Sequence, residues 1–362
     1  MEEDIRLELF TVADLRDWLL NNHPVRGLSE QLMSATRAYS ILKNPYVQNE
    51  TYIISALFVG DNLGAYTAVF PDVIGIASAD SDDRIRRSIY WNTTLYVNPK
   101  YEGKGYAYIV IANICECYGA DYFDHAAAPA SVENFKFMRM GVDYVPQFIF
   151  SPKSIHRNTL KGKLAYLGQL RAEHERKDRC KVSLERIRKE NFALEYVTFV
   201  DAQTYTFIEA HAQKDLFLRS QEMFNWMLRY PFSVAKPMKS RVCSLYKFEL
   251  NAADYRLLGV RVVKDSSVVG FYMFTQMGDS MAMKYLYYED ECKQIVFDSI
   301  VEHLLVENVK TFSTYDEQLS NYVDKARLFA RKSVYSMSFT HPADFMYNKQ
   351  LRIQAGDGDM FS

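Results

Sequence analysis

The 362-residue chain lacks several signatures that would assign it quickly. Lys and Arg number 43 and Asp and Glu 45, a net charge of -2, so there is no excess of positive charge to wrap a polyphosphate backbone. Nucleic acid is not expected as a partner. The start, "MEEDIRLELF", has neither a basic leader nor a long apolar core. No window reaches the roughly 18 apolar residues of a spanning helix. A cytoplasmic protein without membrane contact is the expectation. Five cysteines, Cys115, Cys117, Cys180, Cys243 and Cys292, form no CxxC pair and stand at no zinc-finger spacing from histidine. They read as reduced structural thiols, with no metal site.

What is present is apolar and aromatic. Hydrophobic residues make up 48% of the chain, with 26 Tyr and 23 Phe, enough for more than one core at this length. Two stretches read as strand-turn-strand hairpins, "ALFVGDNLGAYTAVFPD" (56–72) and "VRVVKDSSVVGFYMFTQMGD" (260–279). In each, a β-branched run and an Asp-containing turn lead to Gly and an aromatic-rich strand. The match continues in order: a strand ("IYWNTTLYV"; "MAMKYLYY"), a helix-length apolar segment ("YIVIANICECYG"; "QIVFDSIVEHLLVEN") and a short strand ("DYFDHA"; "KTFST"). Both copies close on Phe-x-Arg-x-small-Val, "FMRMGVDY" and "FARKSVYS", followed by an aromatic strand and proline. Matches in this order imply an internal duplication.

Between the copies, Lys161 to Glu190 carries ten Lys or Arg against five Asp or Glu. Its sparse apolar residues read as a solvated helix or linker. The segment "NWMLRYPF" (225–232) brings Trp226, Tyr230 and Phe232 either into core packing or to an interdomain cleft. The expected division is 1–160, a charged connection at 161–194, 195–352, and a fraying tail at 353–362.

The chemistry concentrates in "LYVNPKYEGKGYA". A strand, a loop with glycines at 103 and 105, and a helix N-terminus form a nest of backbone N–H groups for an anion. A nucleotide P-loop would need another spacing and a Ser or Thr after its Lys, and a dinucleotide fingerprint would need glycine where Tyr108 stands. Lys100 to Gly105 instead resembles the [Q/R]-x-x-G-x-[G/A] acyl-CoA loop of the GCN5-related N-acetyltransferase superfamily, with Lys in the first place. "LYVNP" resembles the approach strand of that family, and "FKFMRMGV" its fourth-helix ending. The resemblance covers about residues 45 to 150, and 195 to 350 through the duplication.

The resemblance implies an α/β (α+β) fold of two tandem acyl-CoA N-acyltransferase domains, each a mixed, mainly antiparallel sheet flanked by helices. It implies acetyl-CoA, or another acyl-CoA, as cosubstrate. Pyrophosphate contacts then fall on Tyr101, Glu102, Gly103, Lys104, Gly105, Tyr106 and Ala107, with Lys100 and Lys104 adding charge on the two flanks, and pantetheine contacts on Leu95, Tyr96 and Val97. The acyl group would pass directly to a small-molecule or peptide amine. Asp124 and His125, ending the fifth strand, are candidate bases, with Tyr90 a third; a structural strand-edge pair is the alternative for the first two. Where the family often has a Tyr as acid, Phe137 stands, and Tyr144 is a possible substitute. Cys115 and Cys117 are expected to pack. The second copy reads "YYEDECKQ" in place of the loop, and Glu289, Asp290 and Glu291 would repel a diphosphate. The competing reading is a non-catalytic CoA-binding or interaction protein.

Overall fold

Polar caps at the ends of apolar runs set the element boundaries. Strand β1 (Ile5–Thr11) ends where the Thr11 side chain accepts from the Asp14 amide and the Asp14 carboxylate accepts from the Thr11 amide. This reciprocal cap starts α1 (Val12–Leu19), and the Ser34 side chain accepts from the Arg37 amide to cap α2 (Ala35–Leu42). The hairpin β2 (Tyr52–Val59) and β3 (Asn62–Ala77) follows, then β4 (Arg84–Val97), α3 (Tyr106–Tyr118), β5 (Tyr122–His125) and β6 (Met138–Ile149). The 30-residue α4 (Leu160–Lys189) leads to β7 (Phe192–Val197), α5 (Ala202–His211), β8 (Phe217–Arg219) and α6 (Gln221–Arg229). The last run is β9 (Arg256–Lys264), β10 (Ser267–Met277), β11 (Ser280–Tyr288), α7 (Lys293–Val306), β12 (Thr311–Ser313), α8 (Glu317–Ala326) and β13 (Arg331–His341). This computed structural model describes residues 4–21, 23, 25–28, 32–77, 84–125, 138–150, 159–189, 192–235, 254–341 and 352–358.

The strands form a continuous sheet in the order β1-β2-β3-β4-β5-β13-β6-β12-β11-β10-β9-β7, with β8 added to β3. Read from either end the order is equivalent. Each half contributes a meander, a parallel strand after its helix, and a closing strand. Both expected hairpins are present, Ala56 opposite Tyr66 and Val262 opposite Gly270.

The closing strands are exchanged. β13, from the end of the chain, pairs with β5 of the first half, and β6 pairs with β12 of the second. β6 and β13 pair with each other from Arg331↔Ile149 to His341↔Met138. Each half thus covers its open edge with the other's last strand, which removes two exposed edges and welds the halves together. This corrects the fourth-helix reading of "FMRMGV": from Met138 onward the segment is strand. Tertiary pairing across the halves overrides the local helical likeness, and Phe137 lies outside the described residues.

Charge along α4 did not keep it wholly solvated. Arg176 is buried on it, donating to the backbone oxygens of Leu328 (2.8 Å) and Val309 (2.7 Å). Its guanidinium lies over the rings of Phe150 and Phe329. Trp226 and Phe232 are core residues, packed on Phe70 of β3 with ring centroids 5.6 Å apart in both cases. Trp226 Nε1 donates to the Ser40 carbonyl oxygen of α2, so these aromatics also join the two halves.

The expected fraying of the tail is overturned for residues 353–358, and 359–362 lie outside the described residues. Ile353, Gln354 and Asp357 are buried, and Arg352 forms an ion pair with buried Asp215. Turn-forming residues that bury little carbon are instead held by polar contacts in the interior.

Candidate functional site

β4 is the strand on which the site is built. It runs antiparallel to β3 along its length but pairs with β5 only at Tyr90↔Tyr122 and Trp91↔Phe123. The register with β3 slips between Ala68↔Thr94 and Val69↔Asn92, leaving Thr93 as the extra residue of a bulge. Past that bulge β4 and β5 separate, and Leu95, Tyr96 and Val97 have no partner strand on the β5 side among the described residues.

The loop after β4 is tightly anchored at its start. Asn98 Nδ2 donates to the Leu63 carbonyl oxygen (3.0 Å), and its Oδ1 accepts from the Lys100 amide (3.0 Å). A 3-10 turn, Pro99–Tyr101, follows. Tyr101 and Tyr106 are both buried, with ring centroids 5.8 Å apart, and pack with Leu57, Ala65 and Val110. Between these two anchors the chain is exposed. Gly103 and Gly105 adopt φ of +80° and +78°, a region in which a side chain is strained, and the space a Cβ would enter is open at both.

Gly105 is also the residue that caps α3, and it supplies no side chain to do so. The first-turn amides of α3 therefore aim out of the helix end toward the loop, at the positive pole of the helix dipole. Lys100 and Lys104 fold back over Tyr101, their Nζ atoms 5.2 and 5.3 Å from its ring centroid. Glu102 is exposed. Backbone donors, a helix dipole and two ammonium groups beside an open strand edge make a cradle for a bulky anion with an extended arm.

The candidate bases lie partly where expected. Asp124 is buried, and its backbone oxygen accepts from the Thr340 hydroxyl of β13. Tyr90 is half-buried on the face that α3 covers and stacks on Tyr118, centroids 3.5 Å apart; burial, then Asp121, raises its pKa. His125 faces Phe339 in the strand register, but its side chain, like that of Tyr144, lies outside the described residues. Cys115 packs beneath the same face, and burial with nearby Asp124 pushes its thiol up to about 12. A nucleophilic thiolate is not available there at neutral pH.

Two residues at the site had no sequence signal. One is Thr93, because a bulge depends on register with a partner strand. The other is Arg37 of α2, whose Nη2 donates to the Thr93 backbone oxygen (3.0 Å) and to its hydroxyl. Arg37 also lies 4.3 Å from the Phe232 ring centroid, so the bulge is steadied by a helix that the second half holds in place.

The second half carries the same frame without the loop. β11 pairs with β12 in parallel up to Ala282↔Ser313, and a bulge follows at Lys284, between Met273↔Tyr285 and Phe274↔Met283. Glu289 caps a 3-10 turn, Asp290–Cys292, that runs directly into α7 at Lys293. Glu102, Gly103, Lys104 and Gly105 have no counterpart there. Among the described residues no group of metal-ligating side chains converges, and no helix is long and apolar enough to cross a membrane.

The fold has likenesses among solved structures. Saccharomyces cerevisiae N-myristoyltransferase with bound myristoyl-CoA superposes with a TM-score of 0.52 at 10% identity, over 97% of this chain and 88% of that one. A second structure of that protein with myristoyl-CoA gives 0.51 at 10% identity, over 100% and 85%. A GCN5-related N-acetyltransferase from Kribbella flavida gives 0.47 at 12% identity, over 93% and 71%. Neither a family model nor a curated protein matches the sequence. The chain shares the two-domain fold of that N-myristoyltransferase, two related halves of mixed sheet and helices, which is the arrangement the sequence resemblance implied.

Proposed function

We propose that this protein is an N-acyltransferase that takes an acyl-CoA in its first half and passes the acyl group to an amine. One observation carries the reading: the glycine loop at the end of α3 stands beside the open edge of β4. The loop amides and Lys100 and Lys104 suit a diphosphate, and Leu95, Tyr96 and Val97 offer backbone groups to the amide-bearing arm of CoA. The separation of β4 from β5 after Trp91 gives the thioester a place between the strands.

In the proposed reaction the amine nitrogen attacks the thioester carbonyl carbon, the C–S bond breaks, and the thiolate of CoA leaves. The proton lost by the amine goes to a base, for which Asp124, His125 and Tyr90 are the candidates. Backbone N–H groups at the Thr93 bulge are suited to polarise the carbonyl. The acceptor is a small-molecule or peptide amine. The acyl chain is left to the test, because the fold is shared with a protein that binds myristoyl-CoA.

The test is a thermal-shift titration with acyl-CoAs from acetyl to myristoyl, followed by a free-thiol release assay against an amine panel. Binding with turnover is expected. Binding without turnover on any amine favours a non-catalytic CoA-binding protein, and absence of binding overturns both readings. Retained CoA affinity in folded Gly103→Asp and Gly105→Asp variants would overturn the loop assignment itself.

A further inference from the structure

The tail of the chain lies in the second half's cleft. The Gly356 amide donates to the Lys284 carbonyl oxygen (2.9 Å), at the bulge that corresponds to Thr93. Arg352 Nη2 (3.2 Å) and Gln354 Nε2 (3.4 Å) both donate to the Leu286 carbonyl oxygen. Counted from the two bulges, Leu286 occupies the place that Leu95 holds on β4. The edge left open on β4 is thus taken on β11 by residues 352–358.

The fit is specific along the segment. Arg352 exchanges backbone hydrogen bonds with residues 214 and 216, each 2.7 Å, and forms an ion pair with Asp215. Gln354 Nε2 donates to Asp215 Oδ2 (3.0 Å). Arg219, fully buried, donates to the carbonyl oxygens of Gly356 (3.3 Å) and Gly358 (2.8 Å). Gly356 lies so close to the Tyr285 ring that a Cβ would overlap it, which only glycine avoids. Tyr285 in turn donates its hydroxyl to Asp357 Oδ1 (3.3 Å).

We infer that the second half retains a cleft for a peptide segment, along the β11 edge from Lys284 to Leu286, and that residues 352–358 of the chain itself, folded into a turn by the Asp357 amide donating to the Gln354 carbonyl oxygen (3.1 Å), are its resident ligand. That the chain then has one acyl-CoA site rests on the function proposed above; the occupancy of the cleft by the tail does not. The second half has exchanged a loop for binding a diphosphate for a polar interior that binds the backbone of a peptide.

Hydrogen exchange read by mass spectrometry tests this on the full chain. The tail peptide is expected to be protected, and Gly356→Val to speed its exchange by about tenfold or more, since the tail then loses a hydrogen bond and its seat against Tyr285. Gln354→Ala, which removes two side-chain bonds without adding bulk, serves if the glycine variant does not fold, and is expected to speed exchange by a smaller factor. A tail that exchanges like a free peptide in the native chain overturns the inference, as does unchanged protection in a folded variant. Calorimetry with acyl-CoA is expected to give one site per chain. No binding at all would count against the proposed function and leave the exchange result readable, whereas two sites with the tail protected would overturn its role as the occupant.

Discussion

Arg219 Nε lies 2.9 Å from Asp72 Oδ2, and both side chains are fully buried. The pair joins β3 of the first half to β8 of the second. Trp91 of β4 donates its Nε1 to the same carboxylate oxygen (3.1 Å), and Arg219 continues to the tail. Burial works against the Arg219 cation, but Asp72, Tyr285 and Asp357 outweigh it, so its pKa is raised. A charge this enclosed is tolerated only while its partners are in place.

Asp72→Ala is therefore expected to destabilise the protein by about 3 to 5 kcal/mol. The variant keeps a buried guanidinium without its carboxylate, and chemical denaturation against the native chain measures the cost. A loss below about 1 kcal/mol, the worth of an exposed pair, would contradict this account.

Stability should also depend on Asp357. Burial raises its carboxyl to about 7, with Arg219 lowering it and Asp215 raising it again. The folded state then holds a proton that the unfolded state releases near pH 3.8, so this contribution is complete below that value and is lost as pH rises through about 7. The melting temperature is expected to fall from pH 6 to pH 8, and the fall to shrink in Asp357→Asn. A native profile with no such fall would set the prediction aside.

At the loop, Lys100→Ala combined with Lys104→Ala should weaken acyl-CoA binding by about 1 kcal/mol at low salt, and by less as salt screens the ammonium groups. Calorimetry at two ionic strengths checks both statements. A salt-independent loss would point to the lysines acting through Tyr101 packing instead of through charge.

For the chemistry, Asp124→Asn is expected to lower kcat by roughly a hundredfold while leaving acyl-CoA affinity unchanged, if the carboxylate takes the proton. Equal turnover in the variant would remove Asp124 from the candidates and leave His125 and Tyr90. Cys115→Ala should keep full turnover, and iodoacetamide should label Cys115 slowly at neutral pH because its thiol stays protonated.

Much of this arrangement was legible in the chain. The loop could be read because its demands are local: glycines at 103 and 105 meet a positive φ, and an apolar helix follows at once. The paired hairpins could be read because β-branched runs and polar turns repeat in order. The exchange of β6 and β13 could not, since Met138–Ile149 and Arg331–His341 would each suit a strand in either half. The seating of the tail is not legible for a related reason: "QAGDGD" has almost no hydrocarbon to bury, and composition does not show that Arg219 and Lys284 bond its backbone and Leu286 its Gln354 side chain.

The sequence by itself determined most of the elements, their order and the glycine loop, because capping, periodicity and backbone freedom act over a few neighbouring residues. Only the tertiary structure decided which strand closes which half, where β4 bulges, and that residues 352–358 pack on β11. Those outcomes depend on hydrogen bonds and ion pairs between residues more than a hundred positions apart, such as Asp72 with Arg219 and Asp215 with Arg352. No local pattern encodes such pairs, and their strength comes from the enclosed interior that folding creates.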